Sequence, residues 1–130
     1  MLLPTTLSLA AAAVVINIWL AIRVVRLRFA RRVIHGDGGA ALLMQRMRAQ
    51  ANFIENVPLT LILIAAIELT GRGATALAAV GAVFMLARLA HAIGMDLGRP
   101  NAARGAGMAV TLIVQVGLAL YAVLIALGRA

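Results

Sequence analysis

Four stretches of this chain are long and apolar enough to cross a lipid bilayer, and they leave room for little else. They run over residues 2–22, 51–70, 74–95 and 105–127. A helix needs about 20 apolar residues to span the roughly 30 Å hydrocarbon core, and each stretch supplies them. In a chain of 130 residues, the remainder is three connections and two short ends. The reading is an all-α, four-transmembrane-helix bundle in antiparallel up-down order, one domain over residues 1–130. Thr70-Gly71-Arg72-Gly73 is too short for anything but a tight turn, so the second and third spans form a helical hairpin.

Composition supports a membrane protein. The chain is 64% hydrophobic, where soluble domains are about half apolar. It has no cysteine, which excludes a disulfide, a thiolate nucleophile and a thiolate metal site. Any thiol chemistry must use a thiol brought in by another molecule. The net charge is +8, with 12 basic residues, all arginine, against 4 acids. Such a balance in a soluble chain suggests nucleic acid. Here the arginines lie between and at the ends of the apolar stretches, the pattern of topology and lipid-headgroup anchoring. The implied partner is the lipid bilayer, and nucleic acid is set aside.

The arginines also orient the chain. Seven fall within residues 23–48, and Arg99 and Arg104 flank the connection between the third and fourth spans. The termini and the 71–73 turn hold only Arg72 and Arg129. The positive-inside rule then places both Arg-rich connections in the cytoplasm and both termini on the non-cytoplasmic side of an inner (plasma) membrane. No basic residue precedes the first stretch, whereas Arg23, Arg26 and Arg28 follow it. A cleaved secretory leader has the reverse order, so this stretch reads as a retained span.

Residues 23–47 read as a polar loop, with a turn at His35-Gly36-Asp37-Gly38-Gly39 and a helix beginning near Ala40 that runs into the second span. The Gly-rich turn lacks the spacing and the lysine of a phosphate loop. Pro58 inside the second span is expected to kink it. Glu68 and Arg72, four apart, are expected to pair at headgroup level. Asn17 and Gln115 read as interhelical hydrogen-bonding groups.

One stretch departs from this apolar plan: Arg48-Ala49-Gln50-Ala51-Asn52-Phe53-Ile54-Glu55-Asn56-Val57-Pro58. Arg48, Asn52 and Glu55 stand at i, i+4 and i+7 and share one helix face. Polar groups at membrane depth are costly and face a bundle interior, a cavity or one another. Two readings stand side by side. Arg48 and Glu55 neutralise each other, or the face holds a polar ligand between helices. Arg88, His91 and Met95 form a second such face on the third span. These clusters and Arg104 all meet the cytoplasmic end of the bundle.

The pattern R-A-Q-x-N-x-x-E-x-x-P resembles the second-helix signature of the MAPEG family, membrane-associated proteins in eicosanoid and glutathione metabolism. The H-G-D-G-G turn is most similar to the small bacterial inner-membrane members, and the four-span layout extends the resemblance over the whole chain. The resemblance implies a homotrimer that binds glutathione at its subunit interfaces, near the cytosolic side, and activates the thiol against a lipophilic small molecule. It implies that Arg48, Asn52 and Glu55 grip the tripeptide and that Gln50 adds a contact. Arg88 and His91 match the family's third-helix R-x-x-H. Arg104 falls where the family carries the arginine that stabilises the thiolate, and Arg28 matches a first-helix arginine near the catalytic site. Two departures matter. Asn56 stands where eicosanoid-type members have tyrosine, and Met95 stands where an aromatic is common. The only tyrosine, Tyr121, is near the opposite end of the fourth span, which leaves Arg104 to act on the thiol alone.

Two other functions compete with this transferase or peroxidase-like enzyme. A non-catalytic protein on the same scaffold would share every feature above, and glutathione-dependent turnover separates the two. A small four-helix drug transporter needs an acid embedded in its first span, and residues 2–22 contain none.

Overall fold

The computed structural model describes residues 2–130. Four α-helices follow one another: α1 Pro4–Arg31, α2 Ala41–Leu69, α3 Ala74–Met95 and α4 Ala102–Ala126. Each is long and apolar enough to cross a membrane, and the described residues contain no strand. Helices α3 and α4 pack most extensively, then α1 with α2. The ends confirm the up-down order: the start of α1 lies against the end of α2, and the end of α3 lies beside the end of α1 and the start of α2.

Between the helices, lipid tails are as apolar as leucine. Association therefore rests on close packing and interhelical hydrogen bonds more than on the hydrophobic effect. On α1 the buried residues are Leu9, Ala13, Ile16, Leu20 and Val24, spaced three or four apart, one stripe of a helix. They meet Phe53, Val57, Ile64 and Ile67 of α2 and Leu77, Phe84 and Met85 of α3 in a single core. Close approach is built in by glycine. A Cβ on Gly107 would lie 2.5 Å from the Ala87 carbonyl oxygen, so α4 rides directly on the α3 backbone. At Gly81 of α3 the Leu9 side chain of α1 fills the space a Cβ would take.

Two local expectations change. The stretch 23–47 is mostly helix, not loop: α1 continues through Arg31 and α2 starts at Ala41. Arginine is a good helix former. The buried stripe also extends to Val24, so packing carries the helix past the apolar run. Pro58 lies inside an unbroken α2. Glu68 does not pair with Arg72; among the described residues the ion pairs are Arg23–Asp96 and Arg46–Asp96. Instead, the Glu68 carboxylate accepts from Thr5 N–H and Thr6 N–H, both at 2.8 Å, and from the Thr6 hydroxyl at 2.7 Å. Leu3, which precedes α1, gives it no side-chain cap, and the first amides of a helix need acceptors. Glu68 of α2 supplies them.

Candidate functional site

Polar residues on the spans tie the helices together in successive layers. Gln50 Nε2 donates to Asn17 Oδ1 at 3.4 Å, joining α2 to α1. Gln115 Nε2 of α4 donates to the Asn56 carbonyl, to Asn56 Oδ1 and to Thr60 Oγ1 of α2. Asn17 and Gln115 thus do what their isolation in apolar sequence implied. Between these layers sits Arg88, 1% exposed and the largest fully buried side chain. Its Nη1 donates to Thr111 Oγ1 at 3.0 Å and its Nη2 to Asn52 Oδ1. Its Nε has no partner among the described residues. A buried cation with neutral partners alone is costly, and it joins α2, α3 and α4 at one point.

Beside this junction, toward the Arg-rich end, a cavity of about 370 Å³ opens between α2, α3 and α4. Arg48, Asn52, His91, Met95, Asn101, Arg104, Gly105 and Met108 line it. Asn52, His91 and Asn101 are held by hydrogen bonds. Asn52 spends its amide oxygen on Arg88, which leaves the amide N–H groups as donors. His91 is buried, and its Nδ1 lies 3.1 Å from the Arg104 carbonyl oxygen. An oxygen acceptor requires the proton on Nδ1, so Nε2 is the acceptor of the neutral ring. Asn101 caps α4, accepting from Arg104 N–H at 3.0 Å and donating to the Gly94 and Arg99 carbonyls. The guanidinium groups of Arg48 and Arg104 have no side-chain partner among the described residues, and no acid lines the cavity. The site therefore offers arginine forks and an amide donor, with a single imidazole acceptor. That set suits a ligand rich in carboxylate oxygens.

Below the cavity an acid clamps the helix ends. Asp96 accepts from Arg23 Nη2 and from Arg46 Nε and Nη2 at 3.3 and 3.2 Å. The Arg23 guanidinium lies 4.5 Å over the Trp19 ring. This fixes the end of α3, from which the loop to Asn101 and Arg104 departs. Sequence reasoning missed Asp96 and Asn101. A lone acid between Arg-rich segments, and an Asn followed three residues later by the helix interior, were the available clues.

A family model for MAPEG matches residues 6–124, nearly the entire chain. The chain belongs to the MAPEG family. Among relatives, the inner membrane protein YecN of Escherichia coli, in strains K12 and O6:H1, is 35% identical over 71 residues. Those residues are 55% of this chain and 54% of YecN, so the chain spans about half the length of the curated relatives it matches. In this MAPEG chain the second-helix signature divides. Arg48 and Asn52 reach the cavity, Gln50 turns to α1, and Glu55 is exposed with no ion-pair partner among the described residues. Arg48 and Glu55 do not neutralise each other. On α3, His91 lines the cavity while Arg88 stands behind Asn52. Arg104 lines it from α4. Arg28 lies in a different cavity at the end of α1, with Nη1 on the Ile34 carbonyl and Nη2 on Met47 Sδ.

Proposed function

We propose that this MAPEG protein is a glutathione-dependent transferase or peroxidase-like enzyme of the inner membrane, working as a homotrimer on a lipophilic substrate. The observation that carries the reading is the cavity, with two free arginines, an amide donor and one imidazole acceptor. Its size is within the roughly 300–1,000 Å³ of small-molecule sites. The donor set fits glutathione, whose carboxylates match the Arg48 fork and the Asn52 amide, while Arg104 is left for the thiol. The one ammonium needs an acceptor, and His91 Nε2 is the acceptor present. When bound, glutathione supplies the thiol whose thiolate is the nucleophile.

The chain's own residues do the rest. Arg104 lies at the mouth of α4, where its charge favours the ionised over the neutral sulfur. Asn101 holds the Arg104 backbone, and His91 Nδ1 holds its carbonyl, so the guanidinium is carried on a fixed helix start. Arg48 binds a carboxylate as a fork. Arg88 orients Asn52 from behind and touches no ligand within one copy. Gln50 and Glu55 lie outside the cavity, and Glu55 reaches glutathione only across a contact with a neighbouring copy, which the homotrimer provides. Arg28 takes over the thiolate role only if Arg104 proves dispensable. Substrate enters from the bilayer, and the two Arg-rich connections face the cytoplasm.

The test is glutathione-dependent conjugation of a lipophilic electrophile in detergent, read beside the ultraviolet signal of the thiolate. Arg104→Ala should retain binding but lower thiolate formation, by about one to two units of thiol pKa for a lost charge-assisted contact. An unchanged thiolate signal removes Arg104 from the role. Binding without turnover against any electrophile favours the non-catalytic scaffold. A fluorescent C-terminal green fluorescent protein fusion with an inactive alkaline phosphatase fusion would reverse the orientation.

A further inference from the structure

A second cavity, of about 490 Å³, lies at the far end of α1, and of its lining Arg28 alone enters the glutathione reading, as the alternative to Arg104. Val25, Arg28, Phe29, Arg32, Val33 and Ile34 line it. It is a built groove rather than a loose loop. The chain folds back after α1 through Val33 N–H on the Arg28 carbonyl at 3.0 Å and Arg32 N–H on the Phe29 carbonyl at 3.2 Å. Arg28 Nη1 then bonds the Ile34 carbonyl at 3.2 Å and holds the far rim. The apolar walls are bare: Phe29 is 81% and Ile34 82% exposed.

Depth sets what can meet this groove. Helix α1 has 28 residues, roughly 42 Å at about 1.5 Å per residue, longer than the roughly 30 Å hydrocarbon core. The apolar run ends at Ile22, so Val25 to Ile34 stand outside that core on the Arg-rich side, from the headgroup layer outward. Around the groove basic charge predominates. Arg26, Arg31 and Arg32 are exposed with no ion-pair partner among the described residues. The nearby acid, Asp37, accepts from Gly39 N–H. Arg32 is also the one non-glycine residue with positive φ among the described residues, 56°, at a helix end where glycine is the usual occupant.

We infer that this groove binds an anionic phospholipid, its phosphate on Arg31 and Arg32 and the upper part of an acyl chain against Val25, Phe29 and Ile34. Charge selects this occupant over a second copy of the chain. Another protomer carries the same excess of arginine and would bring cation to cation, whereas an anionic headgroup neutralises it. Arginine forks suit phosphate oxygens, and basic residues beside a membrane surface favour anionic lipid additively.

The experiment is native mass spectrometry of the full-length protein in mild detergent, titrated with phosphatidylglycerol or phosphatidylcholine. Wild type should retain phosphatidylglycerol in preference to phosphatidylcholine. Arg32→Gly should lower phosphatidylglycerol affinity about fivefold, and Arg31→Gln with Arg32→Gly about twenty-five-fold, while phosphatidylcholine binding is unchanged. Arg32→Gly also relieves the positive-φ backbone, so its melting temperature should hold or rise, and lost lipid binding then cannot be blamed on misfolding. Phe29→Asn should weaken both lipids. Equal retention of the two lipids, or a double arginine variant that binds phosphatidylglycerol like wild type, overturns the inference. So does glycerol phosphate competing as well as the intact lipid, which would make the site one for a free phosphate.

Discussion

Replacing Arg88 by Met tests whether this arginine is a ligand contact or a positioning residue. The substitution removes a guanidinium that is 1% exposed and has neutral partners only, so the desolvation cost disappears with it. Replacing buried charges by apolar side chains of similar volume is often neutral or stabilising by about 1–4 kcal/mol. Against this, Asn52 Oδ1 loses its donor, a cost of about 1–3 kcal/mol. Thr111 loses little, because its hydroxyl still donates to the Gly107 carbonyl at 2.8 Å. The two terms nearly cancel, and Arg88→Met should fold with a melting temperature within a few degrees of wild type. Glutathione binding should nonetheless fall about 10–100-fold, because the Asn52 amide is no longer held donor-side toward the cavity, a loss of about 1.5–3 kcal/mol. Calorimetric titration of Arg88→Met, Asn52→Ala and the double variant separates the two roles. If Arg88 acts through Asn52, the double variant binds no worse than Asn52→Ala alone. If Arg88→Met weakens binding by the same factor in both backgrounds, Arg88 touches the ligand itself and the positioning argument fails. Asn52→Ala should also be less stable than Arg88→Met, since it strands the buried cation.

Other perturbations read the remaining parts. Gly94→Ala places a Cβ 2.5 Å from Arg104 N and 2.8 Å from Asn101 Oδ1, and should cost about 1–3 kcal/mol and displace Arg104; Gly105→Ala meets nothing within 4 Å and should stabilise by about 0.5–1 kcal/mol, both measurable by thermal denaturation. Glu68→Ala should accelerate amide hydrogen exchange at Thr5 and Thr6 while the middle of α1 stays protected; unchanged exchange would remove Glu68 as the cap. Asp96→Ala frees Arg23 and Arg46 and should alter the emission of Trp19, the only tryptophan, because the Arg23 guanidinium leaves the ring; an unaltered spectrum would mean the clamp does not hold Arg23.

The four helices were legible because lipid permits only long apolar segments to span it, and such segments announce themselves by length. The end of α1 was not. Arg23, Arg26, Arg28 and Arg31 look like loop in a hydropathy window, yet Val24 is buried against the bundle and keeps the helix going. Periodicity placed Arg48, Asn52 and Glu55 on one face, correctly, but a shared face is not a contact. Seven residues along a helix is roughly 10 Å, and Arg48 and Glu55 are left apart. Glu68 was misassigned for the opposite reason. Its partners, Thr5 and Thr6, are more than sixty positions away in sequence, and only the up-down packing brings them together. The candidate site was half legible. The cavity collects Arg48, Asn52, His91 and Arg104 as residue type and spacing suggested, whereas Arg88 retreats behind Asn52 because Thr111, on another helix, gives it a second partner. Asp96 positions the site through Arg23 and Arg46, which lie far from it in sequence, and Asn101 does so as the cap of α4.

The central claim is that the cavity between α2, α3 and α4 holds glutathione, and direct binding tests it without any assumption about the second substrate. Purified wild-type protein in mild detergent should show saturable heat on calorimetric titration with glutathione, abolished by Arg48→Ala and retained in Arg104→Ala. Wild-type protein that gives no saturable heat up to millimolar glutathione would contradict the account, and the polar face of these helices would then be structural.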